Sequence, residues 1–204
     1  MSGKRDLKRE LDQYQAKRGE FRVLEVPPTR YLMADGHGGP DSADYADALA
    51  ALFPMAYGLK FGSKRELGAD YVVMPLEALW SADDPRVFAT REKSAWDWTA
   101  MIMTPDWITR DLYDGVVEAI ARKDAPASLG KVRLATLEEG LSVQVLHLGS
   151  FEAETPLLTE LHERFLPEHG LAPTRRHHEI YLSDYRKVAP EKLRTIIRQP
   201  VVRL

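Results

Sequence analysis

The run HHEIYLSD, residues 177–184, places one carboxylate inside a strand-like stretch. Side chains alternate between the two faces of a strand, so His178, Ile180 and Leu182 share one face and His177, Glu179, Tyr181 and Ser183 share the other. The first face reads as core. A carboxylate in an apolar, aromatic-lined setting has its charged form disfavoured, so its pKa rises from about 4.3 toward the range useful for moving protons. The competing reading of Glu179 is a solvated or hydrogen-bonded strand face. A second carboxylate, Glu154 in GSFEAETP, falls at the start of a helix, where the helix dipole alone would favour a negative charge. Trp96 and Trp98 lie two apart and are expected to share a strand face. With Trp80, Trp107 and Met101 they offer flat apolar walls for an aromatic ligand, against the alternative of core packing, which suits Trp107 best.

Other chemistries find little support. His177 and His178 are adjacent and point to opposite faces, no His-Glu-x-x-His helix occurs, and His162 and His169 stand two turns apart, so no metal site is expected. Ser150 in LGSFE lacks the second glycine of a nucleophile elbow, and there is no phosphate-cradling loop ending in Lys-Ser or Lys-Thr. GHGGP does not fit a dinucleotide fingerprint, and its glycines read as a turn requirement. No cofactor is expected.

The elements that must position these residues follow from periodicity. FRVLEVPPTRYLMADG reads as a strand interrupted at Pro27 and Pro28. Asp41 or Ser42 can cap a helix carrying Tyr45, Leu49, Leu52 and Phe53 at helical spacing. ADYVVMPLEALW and AWDWTAMIMTP read as antiparallel strands, and DWITRDLYDGVVEAIARKD as a second helix. KVRLATLEEG and LSVQVLHLGSF read as two strands joined by a Glu-Glu-Gly turn, followed by the helix AETPLLTELHERFLPEHG and then by the Glu179 strand. APEKLRTIIRQP reads as a short helix and VVRL as a final strand. The order strand, glycine turn, helix, strand thus occurs twice, suggesting duplication. Laying the halves over each other pairs Tyr71 with Glu179.

The chain has 204 residues, 44% hydrophobic and 29% charged, with a net charge of -3 and no cysteine. This is ordinary globular composition, without disulfides, thiolate nucleophiles or the clustered basic charge that nucleic acid requires. The start is charged throughout and lacks the apolar core of a secretory signal, and no window reaches about 18 apolar residues, so the expectation is a soluble cytoplasmic protein without membrane partners. Residues 1–20 are expected to form a polar, helical leader docked on the body.

YLMADGHGGPDSADYADALAALFPMAYGLKF, DYVVMPLEALW, WDWTAMIMTPDWI and HHEIYLSDYRKVAPEKLRTIIRQP together resemble the GyrI-like small-molecule-binding domain family, above all a stand-alone branch with cyclopropanoid cyclopropyl hydrolases among its members. The resemblance runs from about Leu7 to Leu204. It implies an α+β fold of duplicated strand-helix-strand-strand modules, at about 21–104 and 105–204, with pseudo-two-fold symmetry, antiparallel sheets and a ligand cleft between the modules. It also implies a hydrophobic aromatic small molecule as ligand, with Glu179 as base or water-orienting group, Glu154 as its partner and Tyr71 or Tyr181 as hydrogen-bond donor to a developing oxyanion. Trp80, Trp96, Trp98, Tyr181 and Met101 would line the ligand. The chain departs from the family pattern at Ser81, where a second Trp is common, at Tyr185, where Pro is common, and in GSF, which replaces a commoner GPY. A non-catalytic xenobiotic binder is the alternative. Inhibition of DNA gyrase is disfavoured, and a monomer or weak homodimer is expected.

Overall fold

A computed structural model of the chain describes residues 3–84, 87, 90, 92–123, 125–174 and 176–204. The chain is α+β and divides into two compact units that interleave along the sequence. Unit 1 holds the residues up to Glu10, Thr29–Met74 and Trp80–Leu137; unit 2 holds Leu11–Pro28, Pro75–Leu79 and Glu138–Leu204. A single cut near residue 104 does not describe this division. Among the described residues no helix is long and apolar enough to cross a membrane.

Unit 1 contains β2 (Thr29–His37), α2 (Ala43–Gly62), β4 (Asp97–Met103), α3 (Arg110–Ala121) and β5 (Arg133–Leu137). Unit 2 contains β1 (Arg22–Val26), β6 (Gly140–Leu148), α4 (Thr155–Thr159), β7 (Leu171–Pro173), β8 (His177–Tyr181) and β9 (Arg194–Arg203). The α4 helix continues through a π turn at Glu160–Phe165 and a last turn at Leu166–Glu168. β3 (Leu76–Ser81) gives residues 76–79 to unit 2 and 80–81 to unit 1.

The internal order of the two units is the same. In unit 1 the strands run β3-β4-β2-β5, and in unit 2 β8-β9-β6-β1, with β7 also pairing β9. In each, strand, helix, strand, strand follow in sequence, and the first strand pairs antiparallel with the last: Tyr31 opposite Met103 in one, Val145 opposite Ile197 in the other. β1 and β5 each pair with the first strand of a repeat, through Val23↔Val143 and Tyr31↔Ala135. The place that β8 holds beside β9 is held beside β4 by β3, so Tyr71, which lies ahead of β3 and bridges to Arg5, is not the counterpart of Glu179.

Local chemistry explains the ends. The Ser42 hydroxyl accepts from the Tyr45 amide at 3.2 Å and the Thr109 hydroxyl from the Leu112 amide at 3.2 Å, capping α2 and α3. Gly170, at φ 61° in the left-handed region, closes the helix that begins as α4. Two expectations fail. The leader is not one helix: it has a single turn, α1 (Leu7–Glu10), and a 3-10 turn at Asp12–Tyr14. The segment APEKLRTIIRQP is helical only at Pro190–Lys192, and the rest is the first part of β9, because the β-branched Thr195, Ile196 and Ile197 sit between β6 and β8 and are buried on both faces.

Each unit has its own core. In unit 1 it is built from Tyr31, Leu32, Leu52, Met55, Leu59 and Ile102; in unit 2 from Val143, Leu161, Leu166, Leu171 and Val201. At about 1.5–3 kcal/mol per fully buried large apolar side chain, these residues supply the main favourable contribution to folding.

Candidate active site

β8 alternates as its sequence requires: His178 and Ile180 are fully buried, while His177, Glu179 and Tyr181 are partly so. The Glu179 side chain keeps only 15% of its exposure. Its Oε2 accepts from the Tyr181 hydroxyl at 2.8 Å, and His177 Nε2 stands 3.4 Å from its Oε1. Tyr181 in turn meets the Phe151 ring edge-on, with centroids 5.6 Å apart. Nearby, His162 is held below its usual pKa by burial and by His177.

Glu154 ends the 3-10 turn Phe151–Glu154 that leads into α4. It is 4% exposed, and its side chain makes no capping hydrogen bond. Its Oε1 is buried without a hydrogen-bond partner. Burial first, then the negative charges of Glu179 and Glu152, push its pKa from 4.5 up to about 10. At neutral pH Glu154 is therefore a neutral acid with a proton to give. The Glu179 carboxyl is one of the charges that act on it.

The remaining expected residues lie in unit 1. Tyr45, Trp80, Trp96 and Trp98 form one aromatic cluster, with Tyr45 at 5.7 Å from Trp80 and 5.0 Å from Trp98, and Trp80 at 5.7 Å from Trp96. Trp96 stands just ahead of β4 in extended backbone after a 3-10 turn, its carbonyl accepting from the Gly38 amide at 2.7 Å. Trp98 packs close on Gly36, where an added Cβ would fall 2.2 Å from its Cζ2, and its indole N–H is buried without a hydrogen-bond partner. Met101 is fully buried opposite Met33. Tyr71 is buried edge-on to Trp107, and that burial raises its pKa; Trp107 donates to the Ser63 hydroxyl at 3.0 Å.

Sequence reasoning weighed His177 and His162 only as metal ligands, whereas His177 stands beside Glu179 and His162 is felt by His177, and it overlooked a set of charged residues buried within unit 2: Glu77, Glu139, His178 and Arg198. Placement of His178 on the core face of its strand was the one available signal for the buried set. Among the described residues no cluster of three or more His, Asp or Glu side chains is arranged to hold a metal.

An α+β protein with a repeated strand-helix-strand-strand order, carrying a buried acid in one unit and an aromatic cluster in the other, is a candidate small-molecule-binding protein. The chain belongs to the GyrI-like small molecule binding domain family, whose model matches residues 19–202. Among solved structures it is similar to an uncharacterized conserved protein from Listeria innocua, at 36% identity and a TM-score of 0.89 over 98% of this chain and 100% of that one. It is likewise similar to a hydrolase encoded by lin2189 from Listeria innocua, at 35% identity and a TM-score of 0.87 over 98% and 100%. The EcmrR C-terminal domain shares the fold alone, at 12% identity and a TM-score of 0.57 over 91% and 98%. No curated protein matches.

Proposed function

We propose that this protein binds a hydrophobic aromatic small molecule and hydrolyses the electrophilic cyclopropane of DNA-alkylating cyclopropanoid compounds, consuming them before they reach DNA. The observation that carries the reading is the pair itself: a buried, protonated Glu154 beside a Glu179 held by Tyr181. Similarity to Listeria innocua hydrolases at 34–35% identity supports turnover, and family membership supports a small-molecule ligand.

In the proposed reaction Glu179 takes a proton from water as the water oxygen bonds to the strained ring carbon. The cleaved carbon–carbon electron pair moves through the conjugated system to the carbonyl oxygen, and Glu154 protonates that oxygen to give a phenol. Tyr71 or Tyr181 donates a hydrogen bond to the oxygen as charge develops there. Afterwards Glu179 is protonated and Glu154 is not. Because Glu179 charge already acts on Glu154, passing the proton back restores the pair with no net exchange with solvent. Trp80, Trp96, Trp98 and Met101 are the proposed ligand-lining residues, and the buried Trp98 indole N–H, lacking a protein partner, supports a polar contact to the ligand.

The test is incubation of a cyclopropane-bearing alkylator with sub-stoichiometric protein, followed by absorbance or mass. Many equivalents opened per protein are expected. A plateau at one equivalent would establish the second reading, a binder without turnover, which the family's small-molecule-binding character favours.

A further inference from the structure

One of the two inward side chains of β8 is bound to charge, while the other, Ile180, is apolar. His178 is completely buried, and both its ring nitrogens meet carboxylates: Nε2 stands 3.0 Å from Glu77 Oε2 and Nδ1 2.9 Å from Glu139 Oε1. A carboxylate only accepts, so both nitrogens must donate, and the ring is an imidazolium. Arg198, opposite His178 in the β8–β9 pairing, donates to Glu139 Oε2 at 2.6 Å and to the Gln13 carbonyl at 2.6 Å. Tyr14 donates to the other Glu77 oxygen at 2.6 Å. Two negative and two positive charges thus balance inside unit 2, each with hydrogen-bond partners.

We propose that His178 is a positioning residue: clamped by both ring nitrogens between Glu77 and Glu139, it fixes the register of β8 and so holds Glu179, one residue along on the opposite face, against Glu154. Burying ions costs desolvation, and a well-packed apolar face would serve stability as well or better. What the charges add is uniqueness. A one-residue slip turns every side chain to the other face, and an apolar strand bounded by Tyr181 and Ile180 tolerates alternative packings better than an imidazolium that must find two carboxylates. Elements that face His178 contribute Glu77, Glu139, Arg198 and Tyr14. Burial opposes the imidazolium, but the Glu139 charge and hydrogen bonds to Glu139 and Glu77 outweigh it against the repulsion of Arg198, and the ring titrates above its ordinary value. Glu139 correspondingly resists burial and is held down to about 2 by His178 and Arg198.

The proposal rests on the assignment of Glu154 and Glu179 as the working pair, but its test needs no substrate. Long-range proton–nitrogen NMR of the histidine rings at about pH 8, well above the ordinary histidine value of about 6.5, is expected to show both His178 nitrogens protonated. A neutral tautomer there overturns the clamp. In folded His178→Gln, the Glu154 carboxyl, followed by carbon-13 NMR, is expected to titrate about one unit or more lower as Glu179 is released from it. An unchanged Glu154 titration overturns the positioning role whatever happens to thermal stability. Should the single variant not fold, Glu77→Gln/His178→Gln removes one charge of each sign and is read in the same way. Full turnover in Glu179→Gln would overturn a different claim, the working pair itself, so the two readings fail separately.

Discussion

Replacing Glu154 by Gln is the perturbation with the most calculable outcome. The wild-type side chain is buried and keeps its proton up to about pH 10, whereas in the unfolded chain it ionises near 4.5. Between those values the unfolded state binds fewer protons than the folded one, so stability falls as pH rises. Below 4.5 both states are protonated and the penalty vanishes. At pH 7 the distance from 4.5, at about 1.36 kcal/mol per pH unit, amounts to on the order of 3 kcal/mol of destabilisation that the neutral glutamine does not carry. Glutamine matches the protonated acid in size and polarity, so packing changes little. Urea unfolding at a series of pH values is the assay. Glu154→Gln is expected to equal the wild type near pH 4 and to exceed it by about 3 kcal/mol at pH 7, with the gap still widening at pH 8. A difference that does not change with pH would show that Glu154 ionises in the folded protein at its ordinary value, and the acid–base pair would have no physical basis.

Glu179→Gln is expected to abolish ring opening while ligand uptake, followed by tryptophan fluorescence, persists; full turnover in that variant would remove Glu179 from the mechanism. Tyr181→Phe removes the 2.8 Å hydrogen bond to Glu179, a contact to a charged group worth about 1.5–3 kcal/mol, and is expected to lower kcat by about ten- to a hundredfold in single-turnover measurements. Wild-type turnover is expected to decline as pH rises through about 10, where Glu154 loses its proton, and a rate still climbing there would assign the acid elsewhere. Gly36→Ala would drive a Cβ into the buried Trp98 ring and the Asp44 carboxylate, costing about 1–3 kcal/mol or more, visible as a lower urea midpoint; an unchanged midpoint would show that the aromatic cluster can shift.

Local patterns carried much of the fold. The Asp41-Ser42 pair announced the α2 cap, which Ser42 makes, Pro27 and Pro28 the break between β1 and β2, and the HHEIY alternation the two faces of β8. Long motifs carried the family. The TIIRQP stretch misled because local propensity is weak there and its strand form depends on β6 and β8, which arrive from distant sequence. The partners of β1 and β5 were equally illegible: each strand shows its own period, and period identifies a face but not the strand that will lie beside it.

The sequence by itself determined that Glu179 faces away from the core side of its strand and that a second carboxylate, Glu154, stands at the start of the preceding helix. Only the tertiary structure decided that Glu154 is the buried acid and that His178 sits between two glutamates. Protonation depends on how much water a group loses and which charges surround it. Those neighbours, Glu179 for one and Glu77, Glu139 and Arg198 for the other, are gathered from distant parts of the chain only when it folds.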